Sequence, residues 1–392
     1  MTRIALVTPM LPVPHDQTRG RYIHETARSL ARLADVKVFF QQASYPRLPF
    51  IAPRSFIDGN VGPDHQVDGI DLETFTYPVF PVVSRAFNGH VSSLLLTPRV
   101  RRFQPDLILA YWVYPDGYAA LRTARQLGVP CVVGALGSDI HVRSGINDTM
   151  TRRTIAGVDA LLTVSEAMRQ TAIHDFGAQA DQVHTIVNGF NTSVFHPRDK
   201  VALRARLGLS PEAEQIIYVG RFVEAKGMRE LLDAFAALCR HRPRARLSLV
   251  GDGVMKEELQ GLIAAAGLND RVQLPGGLPP EQVAEWICAS DVLTLPSWSE
   301  GYPNVVVEGV ACGVPVVATD VGGTREILHA GNGILIPPRD PAALHTALDQ
   351  ALSQHWDHAA IAAAMRRTWD DVAVETLAVC EQVLRSTHQR KG

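Results

Sequence analysis

The stretch Ser297–Glu326, SWSEGYPNVVVEGVACGVPVVATDVGGTRE, decides how the rest of the chain is read. It places two carboxylates, Glu300 and Glu308, eight residues apart. Between them, Gly301-Tyr302-Pro303 has turn composition, and the pattern predicts a helix starting near Asn304. A short apolar strand, Pro315–Ala318, follows, and then a loop with the glycine pair Gly322-Gly323. The order is strand, loop, helix, strand, loop, which is a parallel α/β unit. A helix start carries unpaired N–H groups and partial positive charge, and so suits a phosphate. Glu308 falls about one turn into that helix, where its carboxylate can accept hydrogen bonds from sugar hydroxyls. The plainer alternative is a βαβ unit with two surface glutamates.

The same alternation extends outward on both sides. Upstream, apolar runs at Gln215–Gly220, Arg246–Val250, Val272–Leu274 and Val292–Leu295 read as strands. They are separated by helical spacing over Met228–His241, Met255–Ala266 and Glu281–Ala289. Downstream come a strand at Gly333–Ile336, a helix at Asp340–Leu352 and helical spacing from Ile361 to Arg385. The first half repeats the theme. Strands are expected at Arg3–Thr8, Val36–Phe40, Ile70–Tyr77, Asp106–Tyr111, Val129–Gly134, Ala160–Val164 and His184–Val187, with helices at Gly20–Leu33 and Gly117–Leu127. Residues 41–69 are irregular and too long for an ordinary connection. The expected fold class is α/β, with two doubly wound, Rossmann-like domains over residues 1–190 and 191–369. The turn-rich and charged segment Val187–Pro211 reads as the linker, and a C-terminal helix over about 370–392 is placed back against the first domain. Ligands on such sheets bind at the carboxyl ends of the strands, so two facing sheets would enclose a cleft.

Composition narrows the function classes. The chain has 392 residues, 46% hydrophobic and 20% charged, with a formal net charge of −2. That is a foldable globular composition, and it argues against a protein built to bind nucleic acid. The five cysteines, Cys131, Cys239, Cys288, Cys312 and Cys380, are scattered and odd in number. They read as small core residues in a reducing cytosol rather than as a disulfide framework or a zinc site. No apolar run reaches the length of a membrane span. The N-terminal run MTRIALVTPMLPVP is broken by three prolines, so a first strand leading into a proline-rich loop is expected, not a signal peptide.

Two further segments carry chemistry. The strand ending at Gly220 runs into GRFVEAKG, where Arg221 and Lys226 bracket the turn into the next helix. Arginine binds phosphate bidentately and lysine adds a mobile point charge, so the pair is a candidate diphosphate clamp. The alternative is a solvated basic loop. The next strand ends in Gly251-Asp252-Gly253, and glycine there lets a ligand approach the backbone, or simply makes a turn. No DxD triplet or clustered metal ligands occur.

GRFVEAKG (220–227), VGDG (250–253), EGYPNVVVEGVACGVPVVATDVGG (300–323) and VNGF (187–190) together resemble glycosyltransferase family 4, whose GT-B fold sets two Rossmann-like domains face to face. The resemblance is specific over the second domain and thinner over the first. It implies a retaining transferase using a nucleotide-sugar co-substrate, a UDP- or GDP-sugar, with no other cofactor and no metal. Arg221 and Lys226 would neutralise the donor diphosphate. Glu308 would hold the ribose, Glu300 the transferred sugar, and the N–H groups of Asn304 and Val305 the distal phosphate or sugar. Gly220, Gly251 and Gly301 would complete the donor wall, and Gly20 would face the phosphates from the first domain. The family's paired glycines are Arg19-Gly20 here, with His24 following, and its His-Gly before an aspartate is Leu136-Gly137, preceding Asp139. His141 stands two residues beyond Asp139 and is a candidate substitute for the missing histidine, or a histidine in a surface turn. Tyr302-Pro303 replaces the family's common Phe-Gly.

The expected acceptor is a glycan or a polyprenyl-lipid-linked sugar in polysaccharide or cell-envelope synthesis. Residues 78–102 combine Phe80, Val82, Val83, Phe87 and Leu94–Leu96 with Arg99, Arg101 and Arg102. That mixture suits peripheral contact with an anionic inner leaflet, or a buried helix with a solvated end. The aromatics of Tyr111–Gly117 stack on sugars or sit in the core. Two other readings stand beside the transferase: a nucleotide-sugar epimerase, and a catalytically silent subunit of a polysaccharide assembly complex.

Overall fold

The computed structural model describes residues 1–45, 60–80, 84–141 and 145–391. The chain divides into two compact units, Met1–Gly189 with Trp369–Gly392, and Phe190–Thr368.

The first unit is a seven-stranded parallel sheet. Its strands are β1 (Arg3–Thr8), β2 (Asp35–Ser44), β3 (Asp71–Pro78), β4 (Leu107–Tyr111), β5 (Cys131–Ala135), β6 (Ala160–Thr163) and β7 (Val183–Thr185). They are ordered β3-β2-β1-β4-β5-β6-β7. Every residue of β4, β5 and β6 is buried. Helices cover both faces of a parallel sheet, which is why these strands are continuous apolar runs without alternation. The helix Arg21–Leu30 packs against Trp369–Lys391, the last helix of the chain. Asp370 pairs with Arg32 there.

The second unit holds β8 (Glu214–Val219), β9 (Ala245–Val250), β10 (Val272–Gly276), β11 (Val292–Leu295), β12 (Val316–Thr319) and β13 (Gly333–Ile336). All are parallel in the order β10-β9-β8-β11-β12-β13. The order reverses between β8 and β11, and such a switch point opens a crevice at the carboxyl ends of the two strands. This topology brings residues following Val219 beside residues following Leu295.

Three expectations need correction. Within Val187–Pro211 the two units divide at Gly189/Phe190, as expected, but the rest of the segment is no linker. Phe190, Val194, Phe195, Leu203 and Leu209 are buried in the core of the second unit. Arg204, nearly buried, donates to the carbonyls of Ala289 and Pro211, both at 2.9 Å, and to Asp291 at 2.7 Å. Asp291 also accepts from the Gln215 backbone N–H at 2.7 Å, and Lys200 pairs with it at 3.0 Å. The charged sequence that suggests a solvated connector instead fills the base of the sheet. Second, the helical tail is two helices, His358–Ala363 in the second unit and Trp369–Lys391 in the first. Third, β2 runs to Ser44, past the expected end at Phe40; residues 46–59 of the irregular segment lie outside the described residues. Of the two readings of the Tyr111–Gly117 aromatics, the core one holds for Tyr111 and Tyr114, which are buried with Val113 and Asp116 in and before a kinked turn over Val113–Gly117 whose Tyr114 is extended.

Among the described residues no helix is long and apolar enough to cross a membrane. Residues 88–103 form one helix, and Val82 and Val83 lie outside the described residues.

Candidate functional site

The site is built on the switch point of the second sheet. β8 ends at Val219, and its Tyr218 hydroxyl donates to the Arg221 carbonyl at 2.9 Å. Burial, and secondarily the nearby Glu300, pushes the Tyr218 hydroxyl above its ordinary value. It therefore stays a protonated donor and pins the turn. Arg221 itself is exposed and forms no ion pair among the described residues. A single 3₁₀ turn, Glu224–Lys226, leads into the helix Met228–Leu238.

On the facing side, the chain leaving β11 is tied to this turn. The Trp298 backbone N–H donates to the Ala225 carbonyl at 2.8 Å, and its indole N–H donates to Glu230 at 2.9 Å. The Arg339 guanidinium lies 4.2 Å above the Trp298 ring, within cation–π range. These ties set the two loops in register. The Lys226 ammonium meets the Glu300 carboxylate at 2.6 Å, with their side chains 19% and 11% exposed. A charge-assisted contact this short, mostly out of water, is among the stronger polar interactions a protein makes.

Glu300 is braced from behind by the glycine pair of the opening stretch. Gly322 has φ +53°, and a Cβ there would stand 1.9 Å from the Glu300 carbonyl oxygen. Gly323 N–H donates to the Gly301 carbonyl at 2.9 Å. The helix Asn304–Ala311 begins after Pro303, whose side chain supplies no cap. Glu308 lies half-buried on its second turn. Gly220, Arg221, Lys226, Glu300, Gly301, Asn304, Val305 and Glu308 therefore share the carboxyl edge of one sheet.

Gly251 also has a packing reason to be glycine. Its missing Cβ would lie 1.9 Å from the Gly220 carbonyl oxygen, so the ends of β8 and β9 pack backbone to backbone. The space a Cβ would need is filled by the protein's own chain.

The remaining candidates lie in the first unit. Gly20 precedes the helix Arg21–Leu30 with φ +60°, and a Cβ there would collide with the Met10 carbonyl. Asp139 accepts hydrogen bonds from the N–H groups of Gly137 (2.8 Å), Leu136 (3.0 Å) and Val113 (3.2 Å). Burial nevertheless pushes its carboxyl upward against those donors. In this arrangement Asp139 braces the loops after β4 and β5. The His141 backbone ends the short helix Ser138–His141, and its side chain lies outside the described part. His24 is engaged at 2.7 Å with the Asp68 carbonyl.

Sequence reasoning missed Tyr218, Trp298 and the bracing role of Gly322. The one available signal was a tryptophan in a polar loop, which needs a partner for its N–H. It also missed a buried network in the first unit, in which the Gln41 amide donates to Asp116 at 2.5 Å and accepts from Ser92. Burial raises the Asp116 carboxyl to about 7.

Comparison with known proteins bears on the family and the fold. The family model described as Glycosyl transferases group 1 matches residues 199–368, and that described as Glycosyltransferase Family 4 matches residues 20–194. The chain is similar to a D-inositol 3-phosphate glycosyltransferase of Frankia alni, 31% identical over 372 residues and covering 88% of each chain. It is also similar to the putative teichuronic acid biosynthesis glycosyltransferase TuaC of Bacillus subtilis, 28% identical over 358 residues and again 88% of each. Among solved structures, sucrose-phosphate synthase from Thermosynechococcus elongatus superposes with a TM-score of 0.77 at 20% identity, over 98% of this chain and 100% of that one. Anabaena HepE in complex with UDP-glucose gives 0.70 at 20%, over 98% and 99%. The chain is a glycosyltransferase with the GT-B fold and belongs to glycosyltransferase family 4.

Proposed function

We propose that this glycosyltransferase takes its sugar from a nucleotide diphosphate sugar, a UDP- or GDP-sugar, held at the carboxyl edge of the Phe190–Thr368 unit. The sugar passes with retention to a glycan or lipid-linked acceptor in polysaccharide or cell-envelope synthesis. The observation that carries this reading is the 2.6 Å Lys226–Glu300 contact beside an exposed arginine and the start of the helix Asn304–Ala311. Arg221 takes the diphosphate bidentately, and Lys226 follows the charge that grows on the leaving phosphate. As Lys226 turns to the phosphate, Glu300 gains a free oxygen for a hydroxyl of the transferred sugar. Glu308 accepts from the ribose, and the N–H groups of Asn304 and Val305 meet the distal phosphate. Two cations supply the neutralisation that a divalent ion gives elsewhere, so the reading needs no metal. Both carboxylates of the group serve recognition. Same-face attack of the acceptor through an ion pair therefore fits better than a covalent intermediate.

The HepE complex with UDP-glucose supports the donor class. The relatives' names, for inositol 3-phosphate and for teichuronic acid, support an acceptor built from polyol or glycan hydroxyls. Thermal shift of the full chain against UDP-, GDP- and ADP-sugars tests the donor. A true donor at 100 times its dissociation constant adds about 2.7 kcal/mol, and no shift with any of them sinks the reading. NMR of the product's anomeric proton then tests retention.

For a lipid-linked acceptor, the helix Asn88–Phe103 is the contact with an inner leaflet. Phe87 and Leu94 are 62% and 67% exposed, and Arg101 is exposed at the helix end. Arg99 and Arg102 face Glu73 at 3.4 and 3.6 Å, which leaves less positive charge for lipid than the sequence suggests. Liposome flotation should retain the protein on anionic vesicles and release it when Arg99, Arg101 and Arg102 are changed to Glu. An unbound wild type rejects the contact.

A further inference from the structure

Arg339 stands where an arginine fits poorly. It follows Pro338 in the turn that joins β13 to the helix Pro341–Ser353, and its φ is +61°. That is the left-handed region, which a Cβ disfavours and glycine enters freely. Both flanks of the turn are fixed. β13 pairs with β12 through Ile336, and the Asp340 carboxylate caps the following helix, accepting from the Ala343 N–H at 2.9 Å. The turn therefore holds its strain, and a glycine would remove it.

The side chain shows what the strain is kept for. The Arg339 guanidinium is exposed, lies 4.2 Å from the centre of the Trp298 ring, and among the described residues forms no hydrogen bond or ion pair. Trp298 is the staple between the two halves of the donor edge. Its N–H donates to the Ala225 carbonyl at 2.8 Å and its indole N–H to Glu230 at 2.9 Å. Ala225 adjoins Lys226, and Trp298 stands two residues before Glu300. The backbone around the staple has no slack. A Cβ on Gly227 would stand 2.1 Å from the Pro296 carbonyl oxygen, and one on Gly322 1.9 Å from that of Glu300. A ring held by one N–H can still tilt about that bond, and a cation on its face stops the tilt.

We propose that Arg339 is a positioning residue for sugar transfer: from a strained turn after the edge strand β13, its guanidinium holds the Trp298 ring in the orientation that seats Glu300 against Lys226. It acts through the ring and not on the donor. Its effect on turnover rests on the donor reading above; the contact itself does not. Backbone strain retained at a functional edge, where glycine would relieve it, is the mark of a side chain with a task. A cation–π contact shifts an equilibrium about 2- to 30-fold, and that bounds the loss on removing it. Lys226 and Glu300 act on the leaving phosphate and the transferred sugar, so the loss falls on kcat and spares the donor KM.

The test uses the full chain. Arg339→Gly removes the guanidinium and the strain together, so its Tm should stay within about 3 °C of the wild type. The first readout is the indole N–H resonance of Trp298 in ¹⁵N-labelled protein, identified by its loss in Trp298→Leu. Arg339→Gly should shift or broaden that peak, and Arg339→Lys, which keeps the charge, should restore it. An unmoved peak overturns the clamp whatever the donor is. The second readout is steady-state transfer. Arg339→Gly should lower kcat about 2- to 30-fold with the donor KM unchanged, and Arg339→Lys should recover most of the rate. Added to Trp298→Leu, Arg339→Gly should lower kcat no further. Losses that multiply in the double variant place Arg339 on the donor itself, and an unimpaired kcat in Arg339→Gly leaves the ring without need of a clamp; either result overturns the proposal. Lys226→Ala keeps the two readings apart. Its full turnover sinks the donor reading, whereas its loss of turnover beside an unimpaired Arg339→Gly sinks the positioning role alone.

Discussion

Lys226→Ala is the most informative single change. Its effect on folding and its effect on chemistry have separate magnitudes. The lysine and Glu300 are 19% and 11% exposed and 2.6 Å apart. An exposed ion pair contributes about 0–1 kcal/mol, whereas stranding one partner of a buried pair costs about 3–5 kcal/mol. This pair lies between, so a loss of about 2 kcal/mol is expected, mostly from the desolvated Glu300 left alone. In a domain of this size that lowers Tm by about 4–8 °C. Turnover should fall further, by about 100- to 1,000-fold, the usual cost of removing one group that stabilises developing charge. The assay is a double-mutant cycle with Glu300→Ala, read by thermal melts and by donor consumption. Removing both charges leaves no stranded carboxylate, so the double variant should recover about 1 kcal/mol relative to additivity. Turnover near wild type in Lys226→Ala, or strictly additive melts, would refute the reasoning.

Three other outcomes follow from the same geometry. Glu308→Ala should lower donor turnover by about 100-fold with little change in Tm, measured by initial rates; an unchanged rate removes Glu308 from the site. Gly322→Ala forces a Cβ to within 1.9 Å of the Glu300 carbonyl at φ +53°, and should cost about 2 kcal/mol or more together with activity; a normal melt would show that the loop yields. Asp116, raised to about 7 by burial, binds a proton in the folded chain that the unfolded chain has already released. Its contribution to stability is therefore full below about pH 4 and is lost as pH rises through about 7, on the order of 4 kcal/mol. Asp116→Asn should flatten that part of a denaturation-versus-pH profile, and an unaltered slope would place the titration elsewhere.

The two sheets were legible because parallel strands covered on both faces leave unbroken apolar runs, as in Leu107–Tyr111 and Val292–Leu295. The carboxyl-edge grouping of Arg221, Lys226, Glu300 and Glu308 was legible because each follows a strand or opens a helix. Their pairing was not. Strand order decides that β8 adjoins β11, and no local pattern encodes strand order. The helix Gly145–Ile155 gave little signal because its buried face includes Thr151 and Thr154, which hide the apolar period. Glu166–Phe176 went unread in the sequence, although its Ser165 cap and Met168, Ala172 and Phe176 at four-residue spacing carried a signal. Arg204 misled for the opposite reason: a buried arginine looks, in sequence, like any solvated one. Asp116 was invisible because its burial and its partner Gln41, on β2, are set by tertiary packing that no local pattern encodes.

The anchoring of Phe190–Leu209 bears on how the chain can be cut. A fragment begun at Glu214, where the first strand of the second sheet starts, would look complete by topology. It would expose the faces that Phe190, Val194, Phe195 and Leu203 cover. Asp291, deprived of Arg204 and Lys200, would be left with the Gln215 N–H as its one remaining partner of these three. Excision at Phe190 keeps that plug. It also keeps the parallel bridge from Phe190 to Thr368, which ties the ends of the excised piece side by side. Those adjacent ends make the unit a natural candidate for circular permutation or for grafting into another host chain.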